Sequence, residues 1–171
     1  LLAALKSGGY GVGGNFLADG AWTLSGTGGA DIGPFKASSD IPVVTWTNAS
    51  QYDSQTVTRG PLTVNWTGGG PNTILAIGGS SLVLDFANPQ NTAVWEFICY
   101  APASAQTFTV PASIVQALPP SSGSATAGSL GTLSVSAADA ASFTAPLTKG
   151  GQLDGGIFGG ATTDIRPVTW K

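Results

Sequence analysis

The chain contains no histidine and a single cysteine, and these two shortages exclude much chemistry at once. Without imidazole, the usual general base and the commonest metal ligand are both missing. A serine nucleophile would need another base such as lysine, and neither Lys36 nor Lys149 lies in a Ser-x-x-Lys pattern. One thiol can form neither an internal disulfide nor a thiolate metal site. Cys99 sits in the run Val94-Trp95-Glu96-Phe97-Ile98-Cys99-Tyr100, which predicts an inert core residue. No catalytic, cofactor-binding or metal-ligating residue is therefore expected, and no cofactor.

Charge is equally scarce. Only 9% of residues are charged, against about 25% in ordinary globular chains. The six basic residues, Lys6, Lys36, Arg59, Lys149, Arg166 and Lys171, form no run. Nucleic-acid binding needs a basic stripe to displace counterions, so it is not expected. The nine acidic residues are scattered and give no spacing that marks the facing carboxylates of a glycosidase. Asp31 in Gly28-Gly29-Ala30-Asp31 and Asp154 in Leu153-Asp154-Gly155-Gly156 read as turn residues rather than calcium ligands, because neither loop has dense acidic spacing. Methionine is absent too, so Leu1 is not an initiator and a processed or excised chain is expected, with any signal peptide already removed. No run approaches the roughly 20 apolar residues of a membrane span; Lys6 ends the opening Leu1 to Leu5 stretch.

What the chain does have is glycine, 25 of 171 residues, together with 42% hydrophobic residues and five tryptophans. Disordered chains lack that apolar content. At this length a domain can bury about 70% of the surface its unfolded chain exposes, so disulfides are not needed. Short alternating runs, broken every 8 to 12 residues or so, predict an all-β sandwich. The predicted strands are Ala21 to Ser25, Val43 to Trp46, Leu62 to Trp66, Thr73 to Ile77, Leu82 to Phe86, Thr107 to Val110, Thr132 to Ser136 and Ile165 to Trp170. Gly78-Gly79-Ser80-Ser81 is expected to close a hairpin. Residues 93–100 are apolar on both faces except for Glu96, which predicts a central strand covered on both sides. Pro111 to Leu118 is the one helix candidate, stopped by Pro119-Pro120. Core packing is expected for most of Trp22, Trp46, Trp66, Trp95 and Trp170.

Further stretches carry a resemblance. They are Trp22 through Phe35, Leu62 to Gly69, Phe97-Ile98-Cys99-Tyr100-Ala101-Pro102-Ala103, Phe108-Thr109-Val110-Pro111-Ala112, Gly131 to Ser136 and Leu153 to Trp170. From about Leu17 onward the chain resembles the C-terminal Ig-like β-rich domains of large secreted acidobacterial proteins of unassigned function. The resemblance implies an Ig-like module located outside the cell or at its surface; the residues themselves predict that 17–171 share one core, an all-β sandwich with at most one short helix near 111–118. The resemblance carries over no site residue.

Three candidate features follow from the residues themselves. Residues 1–16 are expected to be an extension or strand-exchange segment, in which Tyr10, Val12 and Phe16 share one face between glycines. Glu96 is expected to be paired or edge-facing, or, in a sharper reading, to assist an internal isopeptide bond from Lys36 or Lys149 to an asparagine. Asn48-Ala49-Ser50 and Asn65-Trp66-Thr67 match the N-glycosylation pattern, although Asn65 lies in a predicted strand. Sparse charge and a mean hydropathy of +0.22 point to a self-assembling structural subunit of a filament, sheath or surface layer. The alternative is a module that binds a surface glycan through exposed aromatics.

Overall fold

The computed structural model describes residues 20–53, 56–83, 90, 93–121 and 131–171. The fold is an all-β sandwich, with one short α-helix among the described residues. Its strands are β1 (Gly20–Gly26), β2 (Phe35–Ile41), β3 (Val44–Trp46), β4 (Thr56–Val57), β5 (Leu62–Gly68), β6 (Ile74–Val83), β7 (Ala93–Pro102), β8 (Thr107–Val110), β9 (Gly131–Phe143) and β10 (Gly156–Trp170). The helix, α1 (Ala112–Val115), falls inside the expected 111–118 window. A sheet ordered β4-β10-β9-β6-β7 faces a sheet ordered β3-β5-β8, and β1 and β2 form a separate hairpin.

Alternation places one row of each strand between the two sheets. Leu62, Val64 and Trp66 of β5 point inward, as their period of two predicts, and meet Leu75, Ile77, Leu133, Val135, Val168 and Trp170 in one buried cluster. Each buried indole N–H finds an acceptor, as such groups must. Trp46 Nε1 donates to Asn48 Oδ1 (2.9 Å), Trp66 Nε1 to the Ala103 carbonyl (2.9 Å) and Trp170 Nε1 to the Ser80 carbonyl (2.6 Å). Trp22 is half-buried and Trp95 is exposed, so core packing holds for three of the five.

Two expectations are corrected. Gly78 to Ser81 do not turn; they run through the middle of β6, paired to β7 on one side and β9 on the other. A two-residue hairpin turn needs glycine at positive φ, and Gly78 and Gly79 are not among the positive-φ glycines. They are glycines for another reason: a Cβ on Gly79 would meet the Phe97 ring, and one on Gly78 would lie 2.9 Å from Ser134 Oγ. Residues 93–100 are likewise not a central strand. Among the described residues β7 is an edge of the five-stranded sheet, and Glu96 is exposed on its outer row.

The β9–β10 ribbon is longer than its predicted strands. Its inner part belongs to the sandwich. Its outer part carries the β1–β2 hairpin, with Phe35 stacked on Phe143 (ring centroids 5.1 Å apart) and a Cβ on Gly160 barred by the Ile41 side chain. Small residues make this part unreadable in sequence: Ala138, Ala140 and Ala141 face Ala161, Gly159 and Phe158 across the ladder.

Candidate functional site

The residues singled out from sequence are not brought together. Glu96 lies on β7, Lys36 on β2 and Lys149 in the turn between β9 and β10, and all three are exposed. Strands β6 and β9 separate β7 from β10. Glu96 stands exposed on a strand that is an edge among the described residues. Tyr10, Val12 and Phe16 lie outside the described residues. The loop that carries Asp31 is tied to the turn between β9 and β10: Thr148 N–H donates to the Asp31 carbonyl (3.1 Å) and Thr148 Oγ1 to the Ala30 carbonyl (2.7 Å). Among the described residues no group of three or more potential ligands that could hold a metal ion occurs.

Both matches to the glycosylation pattern have structural roles. Asn48 Oδ1 accepts from Trp46 Nε1 and from the Asn65 backbone N–H (2.9 Å each), while its Nδ2 donates to the Thr63 carbonyl (3.0 Å). Asn65 Oδ1 accepts from Thr107 Oγ1 (2.7 Å).

A cleft of about 480 Å³ opens between Asp40 to Val43, Gly68 to Thr73 and Ala138-Asp139. Its two carboxylates invite a catalytic reading, but Asp139 is already engaged. Asp139 Oδ2 accepts Ser39 Oγ (2.7 Å) and the Asp40 N–H (2.8 Å), and these donors, Ser39 first, hold its carboxyl below the usual aspartate range. The contact fastens β2 to β9. None of the described residues lining the cleft is aromatic, so they offer a sugar no stacking face.

The outer faces of the two sheets differ sharply in chemistry. On the three-stranded sheet the outward positions are Thr63, Asn65 and Thr67 of β5, Thr107 and Thr109 of β8, and Thr45 and Thr47 at β3. These side chains bond to one another and to the backbone: Thr63 to Thr109 (2.9 Å), Thr107 to Asn65, Thr47 to the Asn65 carbonyl (3.1 Å). This is a solvated surface of the kind threonine favours on exposed strands.

The five-stranded sheet presents the opposite character along its β6–β7 side. Ile74 (50% exposed), Val94 (60%), Ile98 (58%) and Tyr100 (67%) stand on the outer row with Leu82 beside Val94, and Glu96 is the one charge on β7. Gly78 leaves a dent of about 170 Å³ in this face, lined by Ser80, Glu96, Ile98, Thr132 and Ser134. On the inner row, Phe97 and Cys99 pack against the core, and burial pushes the Cys99 thiol up.

The backbone phase of β7 also matters. Ala103 N–H donates to the Thr73 carbonyl (2.9 Å), and the register continues through Ala101 opposite Leu75, Cys99 opposite Ile77, Phe97 opposite Gly79 and Trp95 opposite Ser81. Along an antiparallel strand alternate residues bond to alternate sides. The odd residues therefore serve β6, and Val94, Glu96, Ile98 and Tyr100 aim both N–H and C=O at the open edge. Pro102 obeys the same phase: its missing N–H falls on the open side, where the β6 ladder loses nothing. In sequence the doubly apolar run reads as burial on both faces. The even positions of Glu96 and Pro102 are the signal that one side of this strand is different.

Comparison with known proteins adds little. No protein-family model and no curated protein matches the chain. Among solved structures, an engineered protein determined at 1.98 Å aligns with a TM-score of 0.29 and 19% identity, over 77% of this chain and 20% of that one. The chain thus spans about a fifth of that protein, and a likeness this slight carries neither fold nor function.

Proposed function

We propose that the chain is a non-catalytic structural module that assembles with copies of itself outside the cell, through the outer face of β6 and β7 and the open edge of β7. The observation that carries this reading is the contrast between the two outer faces. The same chain covers one sheet with threonine and asparagine and leaves isoleucine, valine and tyrosine exposed on the other. Low charge alone would not produce that division. Contiguous apolar surface on a soluble domain usually marks an interaction site, and an unprotected strand edge is a template for another strand. The opposite edge of the same sheet is better guarded. There β4 covers the end of β10, Pro167 interrupts it, and Arg166 is held by Asp53 (2.7 Å) and Asp164 (2.8 Å). The extracellular setting rests on the resemblance to exported domains.

The glycan reading needs two aromatics in one groove. Trp95 and Tyr100 are both exposed, but an odd and an even residue of one strand point to opposite faces.

Sedimentation velocity over a concentration series tests the proposal. The native chain is expected to sediment above the monomer, Ile98→Lys to shift it back to monomer, and Thr63→Lys on the threonine face to leave it unchanged. A native chain that stays monomeric at high concentration overturns it.

A further inference from the structure

We infer that the copies join β7 to β7, antiparallel across a two-fold axis that passes at Ile98, so that the five-stranded sheets of two copies become one continuous sheet. This rests on the assembly reading above and names its partner, a second copy of this chain, and its register.

The inference follows from phase, charge and proline position. Only residues that aim their backbone groups at the edge can bond across it, which confines facing pairs to Val94, Glu96, Ile98, Tyr100 and Pro102. A two-fold axis then allows only a few registers. With Glu96 opposite Glu96, two like charges stand directly opposed, which destabilises a pair. With the axis at Phe97, Glu96 faces Ile98 and the two carboxylates are diagonal neighbours, about 7 Å apart. With the axis at Cys99, Glu96 faces Pro102, Val94 is left without an opposite residue inside β7, and only about six hydrogen bonds close the edge. With the axis at Ile98, Glu96 faces Tyr100, Val94 faces Pro102, and the two carboxylates separate to about 14 Å along the strand direction at ~3.4 Å per residue. The prolines then occupy the two ends, and about eight hydrogen bonds close the edge. The apolar row becomes continuous: Val94, Ile98 and Tyr100 of one copy run into those of the other on the same face, because facing residues of an antiparallel pair point to the same side. On the inner row Phe97 comes opposite Cys99 of the second copy. An isologous contact of this kind closes as a dimer.

Disulfide trapping reads the register. In a Cys99→Ser background, which removes the native thiol, Ile98→Cys places two thiols directly across the axis. Glu96→Cys and Tyr100→Cys are each far from their own copies but opposite one another. All three positions are exposed, so the variants are expected to fold, with circular dichroism as the check. Under a thiol oxidant, Ile98→Cys is expected to form at least about tenfold more covalent dimer than Glu96→Cys or Tyr100→Cys alone, because a disulfide requires Cα atoms within ~7 Å. A mixture of the last two is expected to give the mixed dimer. If the native chain sediments as a dimer and Ile98→Cys does not cross-link, this register is wrong and the assembly reading survives. If removal of residues 1–16 abolishes the dimer, the terminal segment occupies the edge and the β7–β7 contact is overturned. If the native chain is monomeric, both fall.

Discussion

Glycine explains more of this molecule at the residue scale than its count suggests. Gly26, Gly79 and Gly156 each stand directly across the ladder from a phenylalanine, Phe35, Phe97 and Phe143 respectively, whose ring occupies the space a Cβ would need. Gly131 is boxed in by Trp170 Cδ1 and the Val168 carbonyl, both 2.6 Å from the point where a Cβ would stand. An aromatic ring laid over a strand glycine restores the buried surface that glycine lacks. Gly131→Ala should therefore destabilise the fold by about 2–3 kcal/mol, as overpacking against a fixed backbone does. Gly29→Ala, with nothing within 4 Å of the added methyl, should change it little. Denaturant titration of the pair checks this, and equal midpoints would contradict it. This pairing is illegible in sequence, because Gly78-Gly79-Ser80-Ser81 has the composition of a turn and only the partner strands reveal that its glycines make room for Phe97 and Ser134. The tryptophans are more legible. Trp46 and Trp66 face each other across β3 and β5, and the alternation Leu62, Val64, Trp66 already puts the second of them on the core face.

Among the elements, the β1–β2 hairpin and β7 show what local sequence can and cannot convey. The hairpin is fastened by a polar contact at Asp139, with Ser39 buried above it. Because Asp139 titrates below its ordinary value in the folded chain, the unfolded chain takes up that proton first as pH falls. The stabilisation is complete above about pH 4 and is lost as pH falls through the folded value. Asp139→Asn should lower the thermal midpoint at neutral pH and flatten its acid dependence. Superimposable melting curves from about pH 5 to pH 3 would exclude the contact as a clasp. β1 and β2 are partly legible, since Asp19-Gly20 marks a break before β1; their docking site is not, because Ala138 to Ala141 carry no strand signal of their own. For β7 the sequence conveys strand and apolarity but not position. Periodicity reports which faces of a strand are apolar, not whether a neighbour covers them.

The whole molecule is a sandwich with two unlike outer surfaces, and its fold class is the most legible thing about it: regular breakers and period-two runs suffice for that. The surface division is not legible, because it depends on which strands lie at the edges. It predicts that solubility responds asymmetrically to charge. Tyr100→Lys should raise the concentration at which the chain stays monomeric, whereas Thr109→Lys should not, and light scattering across a dilution series separates the two. Lysine on an open edge is how natural sheets block strand addition.

The most direct test of the central claim is amide hydrogen exchange along β7, measured at low and at high protein concentration. The account predicts that Trp95, Phe97, Cys99 and Ala101 are protected at both concentrations, since their N–H groups serve β6. Val94, Glu96, Ile98 and Tyr100 should exchange fast when dilute and become protected when concentrated, as a second copy closes the edge. Fast exchange at those four positions at every concentration would contradict it.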